Sequence, residues 1–154
     1  MNRNGHSRLV IGLGSLERGD DAIGRLIARR LSARGGIEVI ELEGEAGALV
    51  ECLDGAEAAY IADAAVLGGA PGDVHRFDAV EGKLPASLTS FSTHGLGLAE
   101  GIELARALKR LPRRCLVYAV EGRCFDVGAP ISPEVAAAAA EVEGRILRDM
   151  EKDV

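Results

Sequence analysis

Tryptophan is absent from this chain of 154 residues, and aromatic side chains of any kind make up only 3% of it. So few aromatic rings leave no stacking surface for the bases of single-stranded nucleic acid. The formal net charge of -6 also disfavours binding to a phosphate backbone. We therefore expect no nucleic-acid partner, and we expect a core built from Leu, Ile, Val and Ala.

Cysteine and long apolar runs are scarce as well. The three thiols, Cys52, Cys115 and Cys124, are widely spaced and form no CxxC pair, which gives no disulfide framework and suits a reducing compartment. Residues 1–8 lack the apolar stretch of a signal peptide, and no apolar run approaches the roughly 18 residues that span a membrane. We therefore expect a cytoplasmic protein without membrane insertion.

Apolar residues make up 47% of the chain, which is enough for one core of ordinary size. Short apolar runs predict five strands, at residues 8–13, 37–42, 58–62, 74–77 and 115–120. Apolar side chains at helical spacing predict helices at residues 21–34, 95–109 and 133–152, with a short further helix that ends near Asp54. This alternation predicts a three-layer α/β/α fold, in which helices cover both faces of a mostly parallel five-stranded sheet. We expect a single domain over residues 1–154, with an ordered core at about residues 8–150.

Polar side chains follow the predicted strands, where an open α/β sheet binds its ligands. They are Ser15, Glu17, Asp20 and Asp21 after the first strand, Glu43 and Glu45 after the second, Asp63 after the third, Ser92, Thr93 and His94 before the third helix, and Glu121, Arg123 and Cys124 after the fifth. Two carboxylates and one imidazole meeting at this edge would suit a divalent metal such as nickel or zinc and leave open positions. Structural explanations compete, because Asp20 or Asp21 fits the N-cap of one helix and Ser132 fits that of the last.

Other chemistries find little support in the motifs. Gly12-Leu13-Gly14 is followed by Glu17, where the dinucleotide fingerprint requires a third glycine, so no cofactor-binding residues are predicted. The chain has no phosphate loop and no nucleophile elbow. Two alternatives stay open, although no local motif supports either. One is a Ser-His-Asp set drawn from Ser90 or Ser92 with His94 and Asp63, and the other is a Cys124 nucleophile with His94.

Five short segments together form a recognisable pattern. In chain order they read VIGLGSLERGDDAIG at residues 10–24, GEAG at 44–47, IADA at 61–64, HGLGL at 94–98 and ISPEV at 131–135. This pattern resembles one known family, the [NiFe]-hydrogenase maturation endopeptidases. Each motif alone is weak, but their order and spacing match the family from about residue 9 to residue 147. This chain departs from the family pattern at two positions. Family members commonly have Asn where this chain has Ser15, and some have Glu where it has Asp21.

The resemblance implies a specific activity and site. Enzymes of this family remove a short C-terminal extension from the hydrogenase large-subunit precursor once nickel has been inserted. The metal-contacting positions correspond to Asp21, Asp63 and His94, and the nickel is brought by the substrate, although other divalent ions would fit the same ligands. Asp21 or Asp63 would act as a general base on water, which is why an aspartic-type mechanism is one option. The alternatives are a non-enzymatic nickel-binding or chaperone module on the same fold, and an unrelated small hydrolase.

Overall fold

Strands and helices alternate along the computed structural model, which describes residues 7–85, 88 and 97–153. The elements are β1 (Arg8–Leu13), α1 (Ile23–Arg34), β2 (Glu38–Leu42), α2 (Ala46–Leu53), β3 (Ala58–Ala65), β4 (Val74–Asp78), α3 (Leu98–Ala107), β5 (Arg114–Glu121) and α4 (Pro133–Lys152). A 3-10 turn at Gly19–Ala22 leads into α1. The five predicted strands are confirmed. The third one runs three residues further than expected, so that Asp63 lies inside β3.

The five strands form one sheet in the order β2-β1-β3-β5-β4. Every neighbouring pair is parallel except β4 and β5, which are antiparallel. The parallel strands therefore end at a common edge, which we call the carboxyl edge and define by Leu13, Ala65 and Glu121. The prediction of a mostly parallel five-stranded sheet is confirmed.

Helices cover both faces of the sheet, as predicted for a three-layer fold. Apolar side chains of α2 and α3 pack on one face, and those of α1 and α4 pack on the other. Alternation along β3 sends Ile61 and Ala65 towards α2 and α3, and it sends Tyr60 and Ala62 towards α1 and α4. Asp63 shares the parity of Ile61, so its side chain lies on the α2 and α3 side.

The strand order places a crevice at the carboxyl edge between β1 and β3. The connection that follows β1 packs α1 on one face, and the connection from β2 to β3 packs α2 on the opposite face. Connections that diverge to opposite faces leave a gap above the strand ends, and this gap is the usual ligand position in open α/β sheets. Within the described part of the chain, no helix is long and apolar enough to cross a membrane.

Candidate active site

Two acidic side chains meet at the crevice between β1 and β3. Asp21 lies in the 3-10 turn that follows β1, and Asp63 lies in β3 near its carboxyl end. Asp63 is fully buried and Asp21 is 3% exposed. They are close enough for the negative charge of Asp21 to raise the pKa of Asp63. The fold thus pairs two carboxyl groups that lie 42 positions apart in the sequence.

The two carboxyl oxygens of Asp63 have different surroundings among the described residues. Its Oδ1 accepts a hydrogen bond of 2.8 Å from the backbone N–H of Ala64, whereas its Oδ2 is buried and has no hydrogen-bond partner among the described residues. Burial raises the pKa of Asp63 well above its usual range, the charge of Asp21 adds to this, and the Ala64 N–H opposes it. A buried carboxylate oxygen without a donor is costly unless a ligand meets it.

Asp21 is held from the loop that follows β1. Its Oδ2 accepts a hydrogen bond of 2.8 Å from the backbone N–H of Ser15, so the short Ser15 side chain does not determine this contact. Burial raises the pKa of Asp21, and the Ser15 N–H and the positive charge of Arg18 oppose that rise. Gly14 has a φ of +129°, and a Cβ there would lie 1.9 Å from the backbone oxygen of Asp21, so glycine is required at this position.

The third residue predicted for the site, His94, lies outside the described residues, so its placement stays a prediction. The helix that follows it, α3, begins at the carboxyl edge, because Gly101 packs against Leu49 and Ala46 in the first turn of α2. Within residues 7–85, 88 and 97–153, no three His, Cys, Asp or Glu side chains are grouped closely enough to hold a metal ion. The described part of the site is therefore a carboxylate pair.

The N-cap predicted for α1 is wrong, and the N-cap predicted for α4 is confirmed. Ala22, and neither Asp20 nor Asp21, occupies the N-cap position of α1. Ser132 occupies the N-cap position of α4, with Pro133 as the first helical residue, although the Ser132 side chain makes no capping hydrogen bond. Asp20 instead accepts hydrogen bonds from Arg123, Cys124 and Ser132. Tertiary donors have replaced the local ones, because the first loop packs against the segment between β5 and α4.

Other polar residues predicted near this edge have described contacts outside the carboxyl pair. The carboxylate of Glu121 accepts hydrogen bonds from the backbone N–H groups of Leu67 and Gly69, so it anchors the loop after β3. The Glu43 side chain is 79% exposed, and its nearest ionic contact is Arg25 at 3.9 Å. The Cys124 Sγ lies 3.5 Å from a carboxylate oxygen of Asp126.

Ser90, Ser92 and Thr93 lie outside the described residues, so the Ser-His-Asp alternative stays a prediction.

A family model for hydrogenase maturation proteases, HycI, matches residues 22–149. The chain belongs to the hydrogenase maturation protease family. No curated protein sequence matches it. Membership of this family confirms the resemblance seen in the motifs, and it makes the chain a peptidase.

Solved structures of hydrogenase maturation proteases share the fold. The hydrogenase-maturating endopeptidase HybD from Escherichia coli is 26% identical with a TM-score of 0.78, and the match covers 96% of this chain and 93% of that one. The [NiFe] hydrogenase maturation protease HybD from Thermococcus kodakarensis is 27% identical with a TM-score of 0.74, covering 92% and 97%. An endopeptidase from Escherichia coli solved in solution has a TM-score of 0.82 at 24% identity, covering 96% and 93%, and this likeness concerns the fold alone.

Proposed function

We propose that this hydrogenase maturation protease removes the C-terminal extension of a [NiFe]-hydrogenase large-subunit precursor after nickel insertion, and that Asp21 and Asp63 contact the nickel ion carried by that precursor. Family membership supports the reaction class. One observation above all supports the contact: the buried Oδ2 of Asp63 has no hydrogen-bond partner among the described residues. His94 completes the proposed ligand set on the basis of the motif resemblance.

Electrostatics favour a cation at this position. Two carboxyl groups buried side by side repel each other when both are ionised, and each loses its hydration. Burial raises the pKa of both Asp21 and Asp63, which reflects this cost. A divalent cation between them would lower both pKa values and satisfy the Asp63 oxygen. Oxygen and imidazole ligands suit nickel, and they would admit other divalent ions.

A site of this kind would distinguish the loaded precursor from the empty one. Two carboxylates and one imidazole leave coordination positions for the ligands that the precursor itself supplies to its nickel. Only the loaded precursor would gain this coordination energy, so specificity is the difference between the two binding free energies. Docking through the ion would also hold the scissile peptide close to the site and reduce the entropic cost of the reaction.

The same carboxyl pair offers a base for hydrolysis. Asp21 or Asp63 would accept a proton from the attacking water as its oxygen bonds to the peptide carbonyl carbon, and the proton would pass to the leaving amine as the C–N bond breaks. We also propose that the protein acts in the cytoplasm, where its three free cysteines would stay reduced.

The test is proteolysis of the large-subunit precursor from the same organism, prepared with and without nickel. Mass spectrometry should find that the wild-type protein shortens the nickel-loaded precursor and leaves the nickel-free precursor intact. Asp63→Asn should leave both precursors at full length while its circular dichroism matches that of the wild type. Asp78→Asn is the matched control, because Asp78 pairs with Leu116 near the opposite edge of the sheet.

Three results would count against the proposal. Normal processing by Asp63→Asn would show that the reaction does not require the Asp63 carboxylate. Equal processing of both precursors would show that the protease does not recognise nickel. Tight binding of the loaded precursor by the wild-type protein without shortening it would favour the non-enzymatic nickel-binding module instead.

A further inference from the structure

The buried carboxylate of Asp20 joins two loops that are distant in sequence. Its Oδ2 accepts hydrogen bonds from the backbone N–H groups of Arg123 and Cys124, at 2.7 and 3.0 Å. The backbone N–H of Ser132 donates to Oδ1 at 2.6 Å, and the Ser132 hydroxyl donates to Oδ2 at 2.8 Å. Asp20 is fully buried, so water does not compete for these bonds. All four donors lie on the segment between β5 and α4.

Backbone contacts extend the same junction. We call residues 14–22 the first loop and residues 122–132 the distal loop. The Asp20 N–H donates to the carbonyl oxygen of Cys124 at 2.8 Å, and the Gly128 N–H donates to the carbonyl oxygen of Glu17 at 2.7 Å. The two loops are therefore hydrogen-bonded to each other by backbone groups at two points, in addition to the bonds of the Asp20 carboxylate.

This bonding pattern argues against a direct chemical role for Asp20. Its Oδ2 already accepts three hydrogen bonds, and its Oδ1 accepts one from the backbone N–H of Ser132. Each of these bonds favours the ionised carboxylate. Binding a metal ion or activating a water molecule would require breaking several of these bonds. The neighbouring Asp21 has a different environment, since one backbone donor from Ser15 holds it and it faces Asp63 across the crevice.

We propose that Asp20 is a positioning residue of this protease: it clamps the first loop to the distal loop and thereby fixes the orientation of the Asp21 carboxylate for the substrate. Asp21 follows Asp20 directly, so a shift of the Asp20 backbone moves the Asp21 side chain by a similar amount. The inference rests on the proposed function, in which Asp21 contacts the nickel of the precursor. Displacement of a reacting or binding group by about 1 Å costs on the order of 100-fold in rate.

The test compares Asp20→Asn, Ser132→Ala and a matched control, Glu143→Gln. An Asn amide places its N–H₂ group against several N–H donors, whereas Ser132→Ala removes only the hydroxyl bond and is the milder variant. Glu143 is a second buried carboxylate with several donors, from Arg30 and Arg34, and it lies on α4 away from the first loop. It therefore reports what the loss of a buried charge does to stability alone.

Two readouts separate a positioning role from a purely structural one. Hydrogen–deuterium exchange should accelerate in both loops of Asp20→Asn and should stay unchanged there in Glu143→Gln. With the nickel-loaded precursor, kcat/KM should fall about 10- to 100-fold in Asp20→Asn and about 3-fold in Ser132→Ala, with a raised KM. A smaller folded population would instead lower kcat and leave KM unchanged, as we expect if Glu143→Gln has any effect.

Unchanged hydrogen–deuterium exchange in the two loops of Asp20→Asn would show that the Asp20 carboxylate does not hold these loops together. Faster exchange with kcat and KM equal to those of the wild type would overturn the positioning role. If the wild-type protein itself does not process the precursor, the proposed function fails, and the exchange measurement still decides whether Asp20 clamps the loops.

Discussion

Gly24 of α1 lies against the backbone of Ala62, the residue before Asp63. A Cβ on Gly24 would stand 2.3 Å from the Ala62 carbonyl oxygen and 2.4 Å from that of Leu13. The first turn of α1 therefore touches β1 and β3 at the point where the carboxyl pair lies. The distance between Asp21 and Asp63 depends on this close approach of helix to sheet.

We expect Gly24→Ala to lower the free energy of unfolding by at least about 2 kcal/mol, because backbone atoms on two strands must move to admit a methyl group. Gly47→Ala is the matched control, since a Cβ at this exposed position of α2 meets nothing within 4 Å. It should leave stability unchanged or raise it by about 0.5 kcal/mol. Chemical denaturation of both variants checks this, and equal effects of the two substitutions would contradict it.

Asp63→Asn should gain stability relative to the wild type as the pH rises. Burial and the charge of Asp21 place the folded-state pKa of Asp63 above its unfolded-state value of about 3.9. Between the two values the unfolded chain holds fewer protons than the folded protein, so the stability of the wild type falls with rising pH. Asn does not titrate. Denaturation at about pH 4.5 and 7.5 should show that the stability of Asp63→Asn relative to the wild type increases with pH, and a difference in stability that stays constant would contradict the argument.

Glu143→Gln should show the opposite pH dependence. Burial opposes ionisation of Glu143, but the hydrogen bonds and charges of Arg34 and Arg30 outweigh it and lower its pKa. The ion cluster therefore stabilises the wild type above about pH 4.3, and this advantage is lost as the pH falls through the folded-state pKa. At pH 7 we expect the variant to lose about 1–2 kcal/mol. Denaturation curves that stay equally separated at pH 3 and pH 7 would count against this assignment.

Asp21→Glu should retain far more activity than Asp21→Asn. Asn keeps an oxygen for the Ser15 N–H but loses the negative charge that the proposed nickel contact requires, so kcat/KM should fall about 100-fold or more. Glu keeps the charge on a side chain one methylene longer, and we expect a loss of about 10-fold. Steady-state cleavage of the nickel-loaded precursor measures both. Activity of the Asn variant at or above that of the Glu variant would show that a negative charge at position 21 is not required.

Local patterns in the sequence were sufficient for most of the fold. The apolar runs before Gly14 and Asp63 are long and rich enough in Ile, Leu and Ala to be buried strands, and Pro133 marks the start of α4 as predicted. Hydrophobic periodicity depends on neighbours a few residues apart, so the sequence carries it directly. The alternation of these elements then restricts the topology to a parallel type of sheet.

The prediction that Asp20 or Asp21 caps α1 failed for a physical reason. Asp20 has a side chain that usually caps helices, but it lies within the 3-10 turn that leads into α1. Its carboxylate oxygens instead accept hydrogen bonds from Ser132, which lies 112 positions away and occupies the N-cap position of α4 as predicted. A buried tertiary partner excludes water more completely than an exposed helix end does, so it wins over the local bond.

The positions of the strands and helices and the motif order that marks the family could be read from the sequence, because each of these depends on residue type and short spacing. Three features became known from the folded chain alone: Asp63 lies within β3 with a buried oxygen lacking a described partner, Asp21 faces it, and Asp20 turns away to the distal loop. Those facts depend on which strand ends and loops become neighbours, and a buried group takes its partners and its pKa from neighbours in space.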